Sequence, residues 1–388
     1  MAELTPSVRP PHESYLRLFL RFLRFGLLAW GGPVAQIAMI RQELVEEEHW
    51  IEREHFNRVL AVYQALPGPE AHELCVYFGM VARGRIGAVL AGLGFMLPGF
   101  ILMLGLSWAY VAYGMSAIGI GAILFGFKPA VAALIIRAVH KIGEHALLNR
   151  QLWAIAIVAG IATFVDVHFI AILLLSGLAY WLLQKPQLNK TNLHSSWLPL
   201  LALAILAAPS VLSLFGYGLR TGLLTFGGAY TAIPFLQNDA VVVGRWMTNE
   251  QFIDGLALSG ILPAPLIIFS TFVGYLGGGF AGALALTTGT FLPAFLFTIL
   301  GHHWLERIIA NAATHAFLDG ITAAVVGLIT VTTSQIILAA WPQELAPALL
   351  ALLIAGLSLW LLYRWKAKWA TAAVVLGAGV VGLLALLL

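Results

Sequence analysis

Leu66-Pro67-Gly68-Pro69 lies inside an apolar stretch running from Val59 to Met80, and its reading decides the fold. Proline removes a backbone N–H and its ring clashes with the preceding turn, so two prolines around a glycine interrupt a helix. Interrupted backbone at membrane depth survives only where protein encloses it or where it lines a cavity. The half-helix that begins near Pro69 therefore aims free N–H groups and the positive end of its dipole at that cavity, an arrangement that attracts anions. Gly31-Gly32-Pro33 is a second break of the same kind, and both breaks recur about 196 residues later.

Composition places the chain in a bilayer. Of 388 residues 60% are hydrophobic and 10% charged, with a mean hydropathy of +0.90, and apolar runs of about 17 to 25 residues read as spanning helices. The net charge of +3 is that of basic cytoplasmic loops and not of a nucleic-acid binder. Cys75 is the single cysteine, which excludes an internal disulfide and leaves no Cys/His metal spacing. No metal or cofactor is expected. Arg17, Arg21 and Arg24 interrupt the first aromatic run without a cleavage signature, so no removable signal peptide is expected.

An internal repeat organises the chain. Gly26-Leu27-Leu28-Ala29-Trp30-Gly31-Gly32 returns as Gly222-Leu223-Leu224-Thr225-Phe226-Gly227-Gly228. At the same offset Arg24 meets Arg220, Glu43 meets Asp239, Trp50 meets Trp246, and Pro67 and Pro69 meet Pro263 and Pro265. One residue is then lost, and Gly79, Gly84, Gly87 and Pro98 align with Gly274, Gly279, Gly282 and Pro293.

The pattern predicts an all-α polytopic membrane protein in which each half holds six spans, two of them broken. In the first half these are 20–42, 56–82, 86–113, 116–140, 151–165 and 167–183; in the second, 218–240, 252–276, 280–301, 308–336, 346–363 and 369–388. The expected units are a first repeat at 1–195 with breaks at 31–33 and 66–69, a connector span at 196–217, and a second repeat at 218–388 with breaks at 227–228 and 262–265. Thirteen spans result, and an odd connector inverts the second repeat. A cytoplasmic N-terminus puts the basic loops at Arg83, Lys141 to Arg150, Lys185 to Lys190, Arg307 and Arg364 to Lys368 on the inner side and the C-terminus in the periplasm. The broken pairs either span or re-enter with both ends on one face; parity admits both. Inverted repeats with discontinuous helices at their interface are the architecture of secondary transporters, which hold substrate near the midplane and work by alternating access.

The run Gly31-Gly32-Pro33-Val34-Ala35-Gln36-Ile37-Ala38, then Trp50 and Leu66-Pro67-Gly68-Pro69-Glu70-Ala71, resembles the chromate ion transporter family in its long, duplicated form. The resemblance covers almost the whole chain. It implies a bacterial inner-membrane carrier that exports chromate, with sulfate as a structural analogue, and confers chromate resistance. The second half departs from the first at Gly228-Ala229 and at Pro263-Ala264-Pro265.

Site candidates follow from charges and breaks. Lys128 is a lone cation midway along its span, where an ammonium costs about 3 kcal/mol on insertion scales, and it is the expected counter-charge for a dianion. Arg24 and Arg220 precede the two GG breaks at equivalent positions, and Arg220 persists on the outer side, where an anchor is disfavoured. With Gly31, Gly32, Gln36, Pro67, Gly68, Pro69, Gly227, Gly228, Pro263 and Pro265 they form the expected substrate site. Glu70 and Glu73 follow the first P-x-P break and are expected to pair with Lys128 or to carry a coupled proton; a carboxylate in a first turn also serves as a simple cap. His315 and Asp319 share a helix face beside the repeat position of Lys128, and form a weaker relay.

The expected partners are a chromate- or sulfate-like oxyanion, a coupled proton, the lipid bilayer and a second copy of the chain. The competing class is a membrane-embedded enzyme or flippase acting on a lipid-linked anion. The sequence shows no acidic metal cluster, no His/Asp pair beside a nucleophile and no P-loop, so an enzyme is not expected.

Overall fold

A computed structural model describes residues 13–113, 120–165, 167–184, 210–225, 229–309, 312–339, 341–367 and 369–385. Among them every regular element is helical. Five helices are long and apolar enough to cross a membrane: Glu70–Tyr113, Gly121–Ala146, Leu266–Gly301, His315–Gln335 and Leu345–Arg364.

The first repeat opens with α1 (Tyr15–Leu27), capped by the Ser14 hydroxyl, which accepts from the Arg17 N–H. Leu18, Phe22 and Phe25 recur at helical spacing and are buried, while Arg17, Arg21 and Arg24 occupy other faces. The chain then turns at Gly31 and Gly32, whose φ values of 90° and 78° lie where only glycine is unstrained. Pro33, in the first turn of α2 (Gly32–Arg41), is pre-set for a helix start. A π-helical turn, Gln42–Glu47, continues α2. Next come α3 (Arg53–Ala65), the Pro67-Gly68-Pro69 break, and α4 (Glu70–Tyr113).

Arg83 and Gly84 leave helical geometry inside α4, Gly84 at φ 62°. Gly79 and Gly87 on either side of them are packed so closely that neither has room for a Cβ. The two limbs, 70–82 and 85–113, are therefore antiparallel around a tight turn, which matches the loop expected between 82 and 86.

Contacts settle how the broken pairs run. Arg21 on α1 reaches Glu43 in the first turn of the π segment and Glu48 just past its end (3.0 and 2.5 Å), and its guanidinium lies over Trp50. His55 at the start of α3 shares a 2.8 Å hydrogen bond with Tyr77, and Phe56 stacks on Phe78. Arg83 at the turn of α4 donates to the Glu13 carbonyl. Each broken pair of the first repeat thus doubles back as a hairpin with its interruption at the tip, the shape that the re-entrant arrangement requires. With 13 residues each, α1 and α3 are about 20 Å long, short of the roughly 30 Å hydrocarbon core.

α5 (Ile120–Ala146), α6 (Arg150–Phe164) and α7 (Phe169–Gln184) complete the first half. α5 runs further than its expected end at 140, so Lys141 belongs to its last turns and not to a loop. The second half repeats the plan: α8 (Val211–Leu224), the short α9 (Ala232–Gln237), a π turn at Asn238–Val243, α10 (Asn249–Gly260) and α11 (Phe269–Ile309), which reverses at Gly278 and Gly279 (φ 58°). The π turns stand 196 residues apart, as do the two non-glycine residues with φ 52°, His49 and Arg245. α12 (Ala312–Ala339), α13 (Leu345–Arg364) and α14 (Ala370–Ala385) follow. The boundary expected at 217 falls inside α8; most of the connector span, with Lys185 and Lys190, lies outside the described residues, as do Gly227 and Gly228.

The halves interlock. Gly26 on α1 packs against the Phe95 carbonyl beside Pro98, and Gly222 on α8 packs in the same way against the Thr290 carbonyl beside Pro293. α6 and α7 lie on α12, while α13 and α14 lie on α5. α4 and α11 meet through Phe295, which presses on Gly92.

Candidate functional site

Two of the hairpin tips, and residues flanking a third, lie between the halves. The Gly68 N–H donates to the carbonyl of Thr225 (2.8 Å), so the first P-x-P break touches the entry to the second GG break. Ala264, between Pro263 and Pro265, packs against Gly99 of α4. Tyr230, just past the second GG break, lies within electrostatic reach of Arg137 on α5. Pro67, Gly68, Pro69, Pro263 and Ala264 are all buried. The first GG tip differs, because Gly31 and Val34 are exposed. Gln36 beneath it is buried and donates from Nε2 to the Ala29 carbonyl, bracing the break.

Two buried polar side chains stand at this junction. Glu73 is fully buried and neither carboxylate oxygen has a hydrogen-bond partner among the described residues. Gly68 lies directly on it: a Cβ there would come within 2.6 Å of Glu73 Oε1. His72 is equally buried, with the Gly92 backbone beside it, and its ring packs edge-on against Phe291 and Phe295 of α11 at 4.9 Å. Removing an ionised carboxylate from water costs several kcal/mol unless a charge or donors meet it. Among the described residues Glu73 has neither. Glu70, one turn earlier, is half-buried, beside Gln64 and within reach of His145.

The expected cations are placed differently. Lys128 lies 3.8 Å from Asp254 and 3.8 Å from Glu250, both on α10, and Tyr110 donates to the other oxygen of Asp254 at 3.0 Å. The pairing expected with Glu70 or Glu73 is not formed, because the Lys128 end of α5 packs along α10 and not against the start of α4. A cavity of about 40 Å³ beside Lys128 is otherwise walled by apolar side chains such as Phe125, Ile253 and Trp341. That is room for water, not for a hydrated oxyanion. Arg24 is ion-paired with Glu43, and Arg220 with Asp239. The pairs are repeat equivalents, and each ties the first helix of a hairpin to its π turn. Their charges are balanced in this state. The Arg220 pair is buried, and its guanidinium also lies over Phe169 and Tyr217.

His315 and Asp319 are exposed on α12 and within electrostatic range of one another. Among the described residues no three metal-ligating side chains converge. Sequence reading missed Asp254 and Arg137. Asp254 was detectable, since it stands four residues after Glu250 on the helix that follows the second GG break; Arg137 sat too near the expected end of its span.

Similarity to known proteins bears on this arrangement. The profile of the family described as chromate transporter matches residues 16–181 and again 212–383. A chromate transport protein of Pseudomonas aeruginosa is 53% identical over 98% of this chain and 94% of its own length. One from Cupriavidus metallidurans is 33% identical over 97% and 94%. An uncharacterized transporter of Bacillus subtilis, YwrB, is 30% identical over 47% of this chain but 95% of its own length, so a single repeat exists as a chain by itself. No solved structure matches.

Proposed function

The chain belongs to the chromate transporter family, and from that premise we propose that it is a secondary transporter exporting a tetrahedral oxyanion, chromate by its relatives' names with sulfate as analogue, across the bacterial inner membrane by alternating access. One observation carries the reading: the interruptions of both repeats meet at the interface between them, beside buried His72 and buried Glu73, whose carboxylate has no hydrogen-bond partner among the described residues. Backbone broken at depth is tolerated where it serves a substrate path.

In this reading the two repeats are inverted. Support comes from Tyr110, far along the second limb of α4, which bonds Asp254 near the mouth of the second repeat's hairpins, whereas Arg83 at the other end of that limb bonds Glu13 at the mouth of the first. The N-terminus is then cytoplasmic and the C-terminus periplasmic. The anion rests at the hairpin tips between Gly68 and the second GG break. Lys128, Arg24 and Arg220 are the cations proposed for its path; each must leave its carboxylate to serve, and Arg137 is added to them. Glu73 carries the coupled proton, with Glu70, His315 and Asp319 as outlying members.

Counterflow tests the reading. Purified protein in liposomes loaded with unlabelled chromate should accumulate labelled chromate without ATP. An absence of counterflow from folded, reconstituted protein, for chromate and sulfate alike, would overturn it.

A further inference from the structure

The second repeat's mouth is shut by a cluster whose counterpart in the first repeat is present, charge-reversed and open. α3 and α10 correspond at an offset of 196, so Glu54 matches Glu250 and Arg58 matches Asp254. The register of α5 against α12 follows from packing. Gly126 presses on the Ala378 carbonyl of α14, and Gly320 on the Ser176 carbonyl of α7; Gly379 meets Ile123, and Gly177 meets Phe317. Gly126 therefore matches Gly320, which sets Lys128 opposite Thr322 and Phe125 opposite Asp319. Phe125 and Lys128 line the same cavity, so Asp319 belongs on the face of α12 that answers to the Lys128 face of α5.

The two mouths differ in this structure. On α10, Asp254 and Ala257 are buried, and Asp254 faces Lys128 and Tyr110. On α3, the matching Arg58 and Ala61 are exposed, along with Glu54, Asn57 and Gln64. These form a polar stripe leading from the mouth of the hairpin to the Pro67 tip. Arg58 and Asp319 are both exposed, and neither takes part in an ion pair among the described residues.

We propose that Arg58 and Asp319 are the second of two mutually exclusive latches. When the mouth of the first repeat closes, α3 docks on α12 as α10 now docks on α5, and Arg58 meets Asp319 while Lys128 separates from Asp254. The inference rests on the alternating-access reading and gives it named contacts. It also gives Arg58 and Asp319 a positioning role in the cycle. Arg58 stands where the other half carries Asp254, and Asp319 lies one turn from the position that answers to Lys128; both latches are attractive, and cross-pairing is prevented, since Lys128 would repel Arg58 and Asp319 would repel Asp254.

Paired cysteines test it, in a Cys75→Ala background that removes the single native thiol. Lys128→Cys/Asp254→Cys and Arg58→Cys/Asp319→Cys proteins are oxidised with copper phenanthroline in membranes. The first pair should cross-link in the resting protein. The second should cross-link weakly there and about tenfold more once Lys128→Gln loosens the first latch. The Arg58→Cys/Asp319→Cys disulfide should block flux reversibly. A first pair that cross-links beside a second pair that never does, in any background, overturns the proposal. An Arg58→Asp/Asp319→Arg exchange that restores flux lost in each single variant supports it independently. Cross-linking needs no substrate, so reciprocal cross-links in a protein without oxyanion counterflow would sink the transport reading and leave the latches standing.

Discussion

Replacing Lys128 by glutamine removes the cation 3.8 Å from both Asp254 and Glu250. At an effective dielectric of about 20, one unit pair at that separation interacts by roughly 4 kcal/mol. The Glu250 share is small, because that side chain is 62% exposed and such pairs contribute about 0 to 1 kcal/mol. Asp254 is fully buried, whereas Lys128 keeps 18% of its side-chain surface, so water recovers part of the energy. Breaking a buried pair from one side costs about 3 to 5 kcal/mol; with partial exposure discounted, about 2 to 3 kcal/mol is expected. That is a shift of about 30- to 150-fold away from the state closed at α10. Asp254→Asn in the same chain removes the orphaned charge and should recover most of the loss. The assay is thermal unfolding of purified protein in detergent, set beside chromate flux. A Lys128→Gln protein that melts like wild type, gains nothing from Asp254→Asn and has lost only chromate affinity would refute the latch and make Lys128 a plain anion ligand.

Gly68→Ala should leave assembled protein with flux reduced at least about tenfold, because φ is +153° and the new Cβ meets Glu73 Oε1 at 2.6 Å, a strain of about 1 to 3 kcal/mol; full flux would take the break out of the path. Glu73→Gln should fold normally, since no partner of either oxygen is lost among the described residues. It should keep counterflow but lose uphill movement driven by a pH gradient, and retained uphill movement would exclude Glu73 from coupling. Arg220→Ala should destabilise by about 3 to 5 kcal/mol, since it leaves buried Asp239 unpaired. Arg24→Ala should cost only about 0 to 1 kcal/mol, because Arg24 is 53% exposed. Equal melting losses for the two arginines would show that the asymmetry in burial does not govern them.

The breaks and the duplication were legible because their causes are local. Proline and glycine act on their own turn, and a constant offset needs no tertiary knowledge, so Gly31, Gly68 and the turn at Gly84 could be placed from sequence. The hairpin shape of the broken pairs could not, because a span and a hairpin leave the same parity; His55 against Tyr77 and Arg83 against Glu13 show the first repeat's pairs doubling back. The pairing of Arg24 with Glu43 and of Arg220 with Asp239 was within reach, since both members align between the repeats at one spacing. Lys128 was recognised as a costly cation, but its partner was sought near the break, among Glu70 and Glu73. Asp254 escaped because comparing repeats looks for identity, and here the informative signal is reversal: Arg58 where the other half carries Asp254.

That reversal separates what the two halves share from what they do not. Both keep the features that shape the backbone: the π turns, the reversals at Gly84 and Gly279, and the glycines that let α1 and α8 approach α4 and α11. They differ in ionisable groups, with Glu70, His72 and Glu73 in one half against Leu266, Ile268 and Phe269 in the other. In the proposed alternating-access cycle, duplicated geometry would supply two ways of closing that are alike in shape. Two identical halves would make those closures equal in energy and give a bound anion or proton little to bias. A few kcal/mol of different ion chemistry at each mouth breaks the tie, and a ligand shifts such a balance only by its own differential affinity for the two states. The buried Glu73 sits at the first repeat's tip, on Gly68, whose N–H reaches Thr225 of the second. In the proposed cycle a proton arriving there would change the charge where the two repeats touch, and at that contact the preference between the two closures would be reset.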